Sequence, residues 1–253
     1  MISPSIRRAV WHPPSGQCCA AICQPKETQE YYPSLPDKSR DLSLHDFQEV
    51  RWAMAECARM GVDQERDRTT ERQVPSYGAY RTERLRLVPI NAGHASELWE
   101  LHQDEGIARW FPMSREQALR FAERMESSWS RGVGKWLAYE ESTGAFVGRG
   151  GPSWASLEGV EYVEIGWALR KEFWGRGYAT EIGRAGLDHA FSVQGIEQVV
   201  SFTEIHNARS RAVMERLGMC YVRQILRPGL IAGSATVHEE APFALYRITR
   251  PDP

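Results

Sequence analysis

The sequence predicts a mixed α/β fold, of the α+β kind, for residues 76–253. Stretches with strand periodicity alternate there with amphipathic helical stretches, in the order strand, two helices, three strands, helix, strand, helix and two strands. At the centre, a strand at 160–170 leads through a helix to a second strand at 197–205. A crossover of this kind joins parallel strands, so we expect at least one parallel pair in the sheet.

The first predicted strand is RTERLRLVPI, in which leucine alternates with arginine. Two helices follow it. The first is NAGHASELWELHQD, with Asn91 as its candidate N-cap, because a short polar side chain can accept from the free N–H groups of a first turn. The second is MSREQALRFAERMESSWSRG, where Ser114 and Gln117 have the spacing of a capping box and Gly132 is placed to end the helix.

A β-hairpin is predicted next in KWLAYEESTGAFVGRGG, whose two apolar runs flank the turn residues 142–144. The GRGG at 148–151 is expected near a hairpin end, as a bulge or tight turn. The following strand runs into RKEFWGRGYATE and then into a helix that continues to about Gln194. The last predicted elements are the strand EQVVSFTEI, the helix NARSRAVMERLGM and the strands CYVRQIL and PFALYRIT.

The first 75 residues are predicted to form an extension outside the main domain. Residues 1 to about 40 are rich in turn and breaker residues, residues 43–61 have the periodicity of one helix, and a charged linker follows. The chain has five cysteines, of which four lie in this segment. An odd number without paired C-x-x-C motifs predicts neither a disulfide framework nor a zinc site.

The composition is typical of a soluble globular protein, with 42% hydrophobic and 25% charged residues. The net charge of −2 provides no basic field for a polyanion, so nucleic acid is not expected as the main ligand. Neither a run of about 18 apolar residues nor the apolar core of a signal peptide is found, so no membrane partner is expected. We expect a cytoplasmic monomer or homodimer.

Flexible backbone stands where the long helix is about to begin, because Gly175 and Gly177 follow the strand at 160–170. The first turn of a helix has free N–H groups and a partial positive charge, and glycines let an anion approach the backbone closely. Arg176 adds a cation beside them. The segment is therefore predicted to hold a phosphate group. It is not a Walker loop, and Thr180 replaces the last glycine of a dinucleotide fingerprint.

Residues from about 80 to 250 resemble the GCN5-related N-acetyltransferase (GNAT) superfamily, and within it the branch that acetylates N-terminal amines of ribosomal proteins. EIGWALRKEFWGRGYATE is similar to the acyl-CoA loop of that branch, TEIHNARSRAVMERLGM to its next strand and helix, and RWFPMSREQALRF to its acceptor-side helices. Trp174 stands where the superfamily's usual loop begins with Gln or Arg. The resemblance implies a mostly antiparallel sheet with flanking helices, in which one parallel strand pair splays apart.

The resemblance also implies acetyl-CoA as the co-substrate and no metal. The pantetheine arm would bond to the exposed backbone of the splayed strand at Trp167, Ala168 and Leu169. Asn207 would hold pantetheine amides while it caps its helix. The implied diphosphate-binding residues are Gly175, Arg176, Gly177, Tyr178, Ala179 and Thr180.

The implied reaction is the attack of a neutral amine on a thioester. Glu164 is the predicted base, acting directly or through water, beside a glycine, Gly166, that is expected to mark a bulge. The alternative for Glu164 is a solvent-facing strand residue. A backbone N–H near Trp167 is the predicted donor to the developing oxyanion.

The predicted general acid is Ser210. Many superfamily members place a tyrosine seven residues after the asparagine that matches Asn207, but here that position is Met214, which has no proton to donate. Ser210 lies one helical turn past Asn207, and its alternative role is in the helix cap.

The predicted function is transfer of an acetyl group from acetyl-CoA to a primary amine, on a protein N-terminus or a small molecule, by direct attack in a ternary complex. The alternative is a catalytically weak acyl-CoA-binding sensor or interaction module, which the loss of the tyrosine favours. Trp110, Phe111 and Trp154 are candidate walls of the acceptor pocket. His189 is expected in the core.

Overall fold

The computed structural model describes residues 79–232 and 236–251. The predicted extension of residues 1–75, its helix and the domain boundary lie outside these residues. The helices and strands of the described ranges are β1 (Tyr80–Arg81), β2 (Leu85–Pro89), α1 (Ala95–Leu101), α2 (Glu105–Ala108), α3 (Arg115–Trp129), β3 (Trp136–Glu140), β4 (Phe146–Leu157), β5 (Val160–Leu169), α4 (Tyr178–Asp188), β6 (Gln198–Glu204), α5 (Ala208–Arg216), β7 (Cys220–Leu230) and β8 (Val237–Thr249).

The eight strands form one sheet in the order β1-β2-β3-β4-β5-β6-β8-β7. Within the described ranges β5 and β6 are the only parallel pair, and the remaining pairs are antiparallel. This pair is joined by the crossover through α4, as the strand–helix–strand pattern predicted. The mixed, mostly antiparallel α+β architecture is therefore confirmed.

β5 and β6 separate soon after they pair. Residues 163–164 of β5 are in register with residues 199–200 of β6, and further along β5 only the antiparallel pairing with β4 continues. β6 meanwhile continues along β8 as far as Glu204. One edge of β5 at 165–169 is thus left without a neighbouring strand, which confirms the splay and opens a gap in the middle of the sheet.

Helices bury both faces of the sheet. On one face α4 and α5 pack against β5, β6 and β8 through a cluster that includes Val163, Ile165, Leu187, Val199, Met214, Leu217, Tyr246 and Ile248. On the other face α1 and α3 pack against β3 through Ile90, Leu98, Phe121, Met125 and Leu137. Burial of each such side chain contributes roughly 1.5–3 kcal/mol, so the two layers hold the sheet between them. No helix within the described ranges is long and apolar enough to cross a membrane.

The predicted helix caps are confirmed. Ser114 Oγ accepts from the N–H of Gln117 over 3.2 Å, and Gln117 Oε1 accepts from the N–H of Ser114 over 2.8 Å, which completes the capping box of α3. Asn91 caps a short 3₁₀ turn that leads into α1. The helix after the glycine segment ends as α4 at Asp188 and continues as a π turn over His189–Val193. β1 and α2 are short elements that the sequence pattern did not predict.

His189 lies in the core, as predicted. Its ring is 3% exposed, with Nδ1 3.0 Å from the hydroxyl of Tyr80 and Nε2 2.7 Å from the carbonyl oxygen of Gly132. Burial lowers the pKa of His189, so the ring is neutral near pH 7. The residue connects the start of the sheet to the end of α3.

One prediction about the glycines is wrong, and another is confirmed in part. The register between β4 and β5 runs unbroken through Gly151 and Gly166, so no bulge marks Gly166. The GRGG segment begins at an irregularity in the pairing of β3 with β4, where the register skips Val147 before Gly148, but the rest of the segment lies inside β4. Glycine is needed at position 166 for another reason, because a Cβ there would stand 2.5 Å from Glu164 Oε1. The glycine leaves room for that carboxylate.

Candidate functional site

The backbone between β5 and α4 is exposed and left-handed at both of its glycines. The φ angle is +76° at Gly175 and +84° at Gly177, which is the N-cap residue of α4. A Cβ at Gly175 would meet no heavy atom within 4 Å, so the backbone angle, not crowding, is what requires glycine there. Turns of this kind form a concavity of N–H groups that suits an anion.

The N–H groups of residues 175–180 donate no hydrogen bond to any described part of the chain. The N–H of Trp174 donates to the carbonyl of Lys171 over 3.1 Å, and the N–H of Glu181 donates to the carbonyl of Gly177 over 3.1 Å. The six successive donors between them are free, at the start of an 11-residue helix. Free N–H groups and the helix dipole together favour a phosphate or diphosphate group at this position.

Arg84, in the turn before β2, holds this segment in place. Its guanidinium lies 2.6 Å from the carboxylate of Glu181, donates to the carbonyl oxygen of Arg176 over 2.9 Å, and lies 4.6 Å from the ring centroid of Tyr178. The hydroxyl of Tyr178 donates to Glu140 on β3. The sequence pattern had placed Arg84 only in a strand, so this support of the loop was missed.

The loop side chains divide into one exposed cation and several buried groups. Arg176 is exposed and lies over the ring of Phe173, with 5.2 Å to its centroid. Tyr178 and Thr180 are buried, and Ala179 is half-buried. None of these three residues therefore adds a charged side chain to the loop, whereas Arg176 adds a positive charge.

Among the described residues that face the gap from the open edge of β5, only Trp167 has both its N–H and its C=O without a partner. The carbonyl oxygen of Ile165 accepts from Ser201 Oγ over 2.7 Å, and that of Leu169 accepts from Trp174 Nε1 over 2.8 Å. Both carbonyls face the gap, so by the period of two the N–H and C=O of Trp167 face it as well. Among the described residues Trp167 has no backbone partner on that side.

The other two residues predicted to hold pantetheine are placed differently. The carbonyl oxygen of Ala168 points toward Gly148 of β4 and so away from the gap, and its methyl group is buried beside Leu101 and Ile107. The side chain of Leu169 is buried in the core between the sheet and α4, and its carbonyl is already bonded. Of the three residues, only Trp167 presents both an unpaired N–H and an unpaired C=O to the gap, among the described residues.

Glu164 is neither exposed nor free. Its side chain is 14% exposed, and Oε2 accepts from Lys135 Nζ over 2.8 Å and from Ser153 Oγ over 3.1 Å. Oε1 lies over Gly166 and accepts no hydrogen bond from the described residues. The alternative of a solvent-facing strand glutamate is therefore wrong. One oxygen is held in place, and the other is directed along β5 toward Trp167.

A second carboxylate, Glu204, lies on the neighbouring strand and on the same face. It is 1% exposed at the end of β6, and its closest hydrogen-bond donor is the hydroxyl of Thr203, 3.3 Å away. Its Oε1 would stand 3.5 Å from a Cβ at Gly229 of β7. The strand pattern did not single out Glu204, because a charged residue that ends a strand is ordinarily solvated.

The first turn of α5 places the other predicted residues. Asn207 caps the helix, since its Oδ1 accepts from the N–H of Ser210 over 3.2 Å. The amide nitrogen of Asn207 and the hydroxyl of Ser210 make no hydrogen bond to the described residues, so both remain available to a ligand. Met214 is 1% exposed and belongs to the core. The position where many relatives have a tyrosine is here a packing position.

A cluster of buried charges around Glu164 was missed by the sequence reasoning. Lys135, just before β3, is 6% exposed and also donates to the carbonyl of Gly151 over 3.2 Å. Arg149 on β4 is 8% exposed, and its Nε donates to Nε2 of His102 over 3.2 Å. Burial, together with the positive charge of the neighbouring Arg149, lowers the pKa of His102 to about 4. The signal available in the sequence was a cation flanked by apolar strand residues, as in GKWLA and VGRGG.

The candidate acceptor side lies between α1, α2 and the start of α3. A depression of about 350 Å³ there is lined by His102, Met113 and Gln117 among others. Trp110 stacks on His206 with 5.2 Å between ring centroids, so the end of α2 meets the loop between β6 and α5. Trp154 is not part of this side, because it packs against the core under α4 and α5. Its prediction as an acceptor wall is therefore wrong.

No group of three or more histidine, cysteine, aspartate or glutamate side chains within residues 79–232 and 236–251 is arranged to hold a metal ion. The polar groups described above are backbone N–H groups, a carboxylate and a hydroxyl. These suit the binding of an anion and the movement of protons.

Comparison with known proteins gives relatives of moderate identity. The chain is 34% identical over 94 residues to the uncharacterized protein YkkB of Bacillus subtilis, covering 37% of this chain and 55% of that protein. It is 28% identical over 158 residues to the FsC-acetyl coenzyme A-N(2)-transacetylase of Aspergillus fumigatus, covering 56% of this chain and 64% of that protein. The chain thus spans less than two thirds of either relative.

The fold is shared with solved acetyltransferases. The ribosomal-protein-S5-alanine acetyltransferase of Vibrio fischeri superposes with a TM-score of 0.56 at 14% identity, covering 69% of this chain and 98% of that one. The family model of the acetyltransferase (GNAT) domain matches residues 84–220, more than half of the 253 residues. The chain belongs to the GNAT acetyltransferase family.

Proposed function

We propose that this chain transfers the acetyl group of acetyl-CoA to a primary amine, on a protein N-terminus or a small molecule. The observation that carries the proposal is the row of free N–H groups at residues 175–180, at the start of α4 and beside the gap between β5 and β6. A diphosphate bound by these groups leaves the pantetheine arm beside the open edge of β5. Trp167 there offers an unpaired N–H and C=O to an extended chain.

The residues present fit coenzyme A on three separate points. The loop N–H groups and Arg176 suit its diphosphate, the backbone of Trp167 suits an amide of its arm, and the free amide nitrogen of Asn207 suits a second arm amide. When bound, acetyl-CoA supplies the activated acyl group. The protein's task is then to remove a proton from the amine, stabilise an oxyanion and return a proton to the departing thiolate.

Glu164 is the base in this proposal. Lys135 and Ser153 hold its Oε2, while Oε1 lies over Gly166 without a hydrogen-bond partner among the described residues. The carboxylate is therefore oriented before the amine arrives, and Oε1 is the atom that accepts the proton, directly or through one water. Fixed orientation of this kind lowers the entropic cost of the proton transfer.

The oxyanion is assigned to a backbone N–H of β5 near Trp167, and the leaving group to α5. That N–H donates to the thioester oxygen as negative charge develops there, which is where a fixed donor has its largest effect. The hydroxyl of Ser210 is free and belongs to the first turn of α5, so it is the group we assign to the proton needed by the thiolate. The alternative role of Ser210 was to cap the helix, but the side chain that caps α5 is that of Asn207.

The acceptor is proposed as a class. The name of the Aspergillus fumigatus relative describes transfer from acetyl coenzyme A to an N(2) position, and the name of the Vibrio fischeri structure describes an alanine of a ribosomal protein. These names represent a small-molecule amine and a protein amine. Both fit a mechanism in which a neutral amine attacks a thioester in a ternary complex.

The second candidate function is an acyl-CoA-binding sensor or interaction module with weak catalysis. Met214 favours it, because the position that carries a tyrosine in many relatives has become a core residue with 1% exposure. The sensor would keep the diphosphate loop and the open edge of β5. It would bind acetyl-CoA without turning it over in the presence of any amine.

A thiol-release assay distinguishes the two functions. The protein is incubated with acetyl-CoA and a panel of free amino acids, diamines and short peptides with alanine or serine at the N-terminus. Mass spectrometry of the amine separates acetyl transfer from simple hydrolysis. Steady CoA release with an acetylated amine supports the enzyme and rejects the sensor. Tight acetyl-CoA binding with release at the background rate for every amine rejects the enzyme.

We further propose that the protein acts in the cytoplasm, as a monomer or homodimer, without nucleic acid or membrane as partner. The support is the net charge of −2, which provides no general attraction to polyanions, and the absence of a paired-cysteine pattern typical of secreted domains. Light scattering of the purified chain, with and without a short DNA duplex, tests the oligomeric state and the expected lack of nucleic-acid binding.

A further inference from the structure

Arg149 is a buried cation that forms no ion pair with a carboxylate of the described residues. Its side chain extends from β4, and the residue is 8% exposed. Its Nε donates to His102, and its guanidinium carbon lies 4.7 Å from the ring centroid of Phe121. The two terminal nitrogens donate no hydrogen bond to the described residues, although a guanidinium offers four N–H groups there.

The charges around Arg149 do not balance. Lys135 and Arg149 are two buried cations, and among the described residues Glu164 is the only carboxylate that forms an ion pair with either of them, through Lys135. The negative charge of Glu164 also acts on Arg149 and opposes the lowering of its pKa, so one carboxylate serves both cations. His102 is neutral, because its pKa is lowered to about 4. Burial lowers the pKa of Arg149 to about 10, so it stays charged near pH 7. A buried charge of this kind is unfavourable unless an anion pairs with it.

Arg149 lies beside the predicted transfer position. It is paired across the sheet with Ala168, which adjoins Trp167 in β5. The face that carries its side chain also carries Phe121 of α3 and, further along β5, Glu164 over Gly166. This is the acceptor side, whereas the diphosphate loop lies beyond the end of β5 with its own free N–H groups. The coenzyme's phosphates therefore have another site.

We propose that the acceptor is an amine that also carries a carboxylate, and that Arg149 binds this carboxylate. This rests on the proposed function of amine acetylation and narrows its substrate class. His102 fixes the plane of the guanidinium through Nε, so the two terminal nitrogens form an end-on fork that matches two carboxylate oxygens. The acceptor anion would balance the extra buried charge while Glu164 accepts a proton from its amine.

The test compares matched acceptors that differ only in the carboxylate. Free amino acids are compared with their carboxamides, and peptides that begin with aspartate or glutamate with those that begin with asparagine or glutamine. For the wild type we expect kcat/KM to be about 10- to 100-fold higher for the carboxylate form, the range for a hydrogen-bonded charge pair. A preference for free amino acids over their carboxamides identifies an amino acid acceptor. A preference for peptides that begin with aspartate or glutamate identifies an acidic peptide as the acceptor. Either supports the proposal.

The Arg149→Met variant removes the cation and keeps the apolar length of the side chain. We expect the preference to fall to about 1-fold, because kcat/KM for the carboxylate form drops to that of the carboxamide. Arg149→Lys keeps the charge but not the fork and should give an intermediate preference. Arg86→Met is the matched control, because Arg86 is also a strand arginine over an aromatic ring, Tyr139, at 4.5 Å. It should keep the wild-type preference.

A binding measurement separates this inference from the proposed function. Calorimetry of the protein–CoA complex with N-acetyl amino acids and with their amides needs no turnover. Tighter binding of the carboxylate form, lost in Arg149→Met, supports the carboxylate site even if no amine is acetylated. Equal affinities, or a preference that survives in Arg149→Met, overturn it even if amines are acetylated.

Discussion

Lys135 and Glu164 form a buried ion pair beside the point where β5 and β6 separate. Lys135 Nζ lies 2.8 Å from Glu164 Oε2, and the two side chains are 8% and 14% exposed. Burial lowers the pKa of Lys135, and the negative charge of Glu164 opposes that shift. The pair occupies one carboxylate oxygen and leaves the other over Gly166. The structural contact and the proposed catalytic role therefore use different atoms of the same side chain.

Replacement of the proposed base should slow the chemistry and spare coenzyme binding. We expect Glu164→Gln to lower kcat by about 100-fold or more, the usual contribution of a positioned base, with an unchanged Kd for acetyl-CoA. Glu161→Gln is the matched control, because Glu161 is an exposed residue of the same strand, paired with Arg131 at 2.9 Å. Steady-state kinetics and calorimetry give the two quantities.

A stability effect must be separated from this result. Glu164→Gln leaves Lys135 buried without its partner, which costs about 3–5 kcal/mol when a buried pair is broken. The double variant Lys135→Met, Glu164→Gln removes both charges and should recover most of that loss while staying slow. A wild-type rate in Glu164→Gln, with loss of turnover in Glu204→Gln, would transfer the role of base to Glu204.

A methyl group at a loop glycine should weaken coenzyme binding. Gly175→Ala forces alanine to a φ of +76°, and the strain costs about 1 kcal/mol of stability. Because this strain also acts on the N–H groups that face the diphosphate, we expect the Kd for CoA to rise at least 10-fold. Gly144→Ala introduces the same strain, at a φ of +73° and with equally open surroundings, in a turn between β3 and β4. Equal CoA affinities in the two variants would contradict the phosphate site.

Substitutions of Ser210 and Asn207 should affect different quantities, kcat for the first and stability with CoA affinity for the second. Ser210→Ala removes a hydroxyl without a hydrogen-bond partner among the described residues, so stability stays the same while kcat falls about 10-fold or more. Asn207→Ala removes the N-cap of α5, and we expect the free energy of unfolding to fall by about 1 kcal/mol and CoA affinity to fall with it. Urea denaturation and kinetics measure both. If Ser210→Ala kept the wild-type kcat, the general acid would lie elsewhere.

His102 makes stability depend on pH. Its pKa is lowered from 6.5 to about 4, chiefly by burial, so the unfolded chain takes up a proton near pH 6.5 that the folded protein resists until about pH 4. Stability is therefore lost as the pH falls through this window. Between pH 7 and pH 5 we expect a loss of about 2 kcal/mol from this residue alone. His102→Gln should lack that part of the loss, and the same pH dependence in both proteins would contradict it.

The order of elements was predictable because it depends on local patterns. Residues that are close in the sequence determine the capping box of Ser114 and Gln117 and the crossover between residues 160 and 205. The structure confirms both. The glycine pair at 175 and 177 was also readable, since two left-handed positions at a helix start require glycine.

The surroundings of Glu164 were not predictable, because they depend on residues far apart in the chain. Lys135 is 29 positions from Glu164, and the contact exists only after β3, β4 and β5 align. The prediction that Gly166 marks a bulge was wrong because it considered only the strand's own backbone. The glycine instead makes room for the side chain of Glu164, whose position is set by residues on other strands. Arg149 and His102, 47 positions apart, meet only when α1 packs on the sheet.

The central claim is that main-chain N–H groups at the start of α4 bind the diphosphate of the coenzyme and direct its arm into the gap between β5 and β6. A crystal structure with CoA tests it most directly. We expect diphosphate oxygens within hydrogen-bond distance of N–H groups of residues 175–180, and an arm amide bonded to Trp167. Coenzyme bound elsewhere, with these N–H groups left to solvent, would contradict the account.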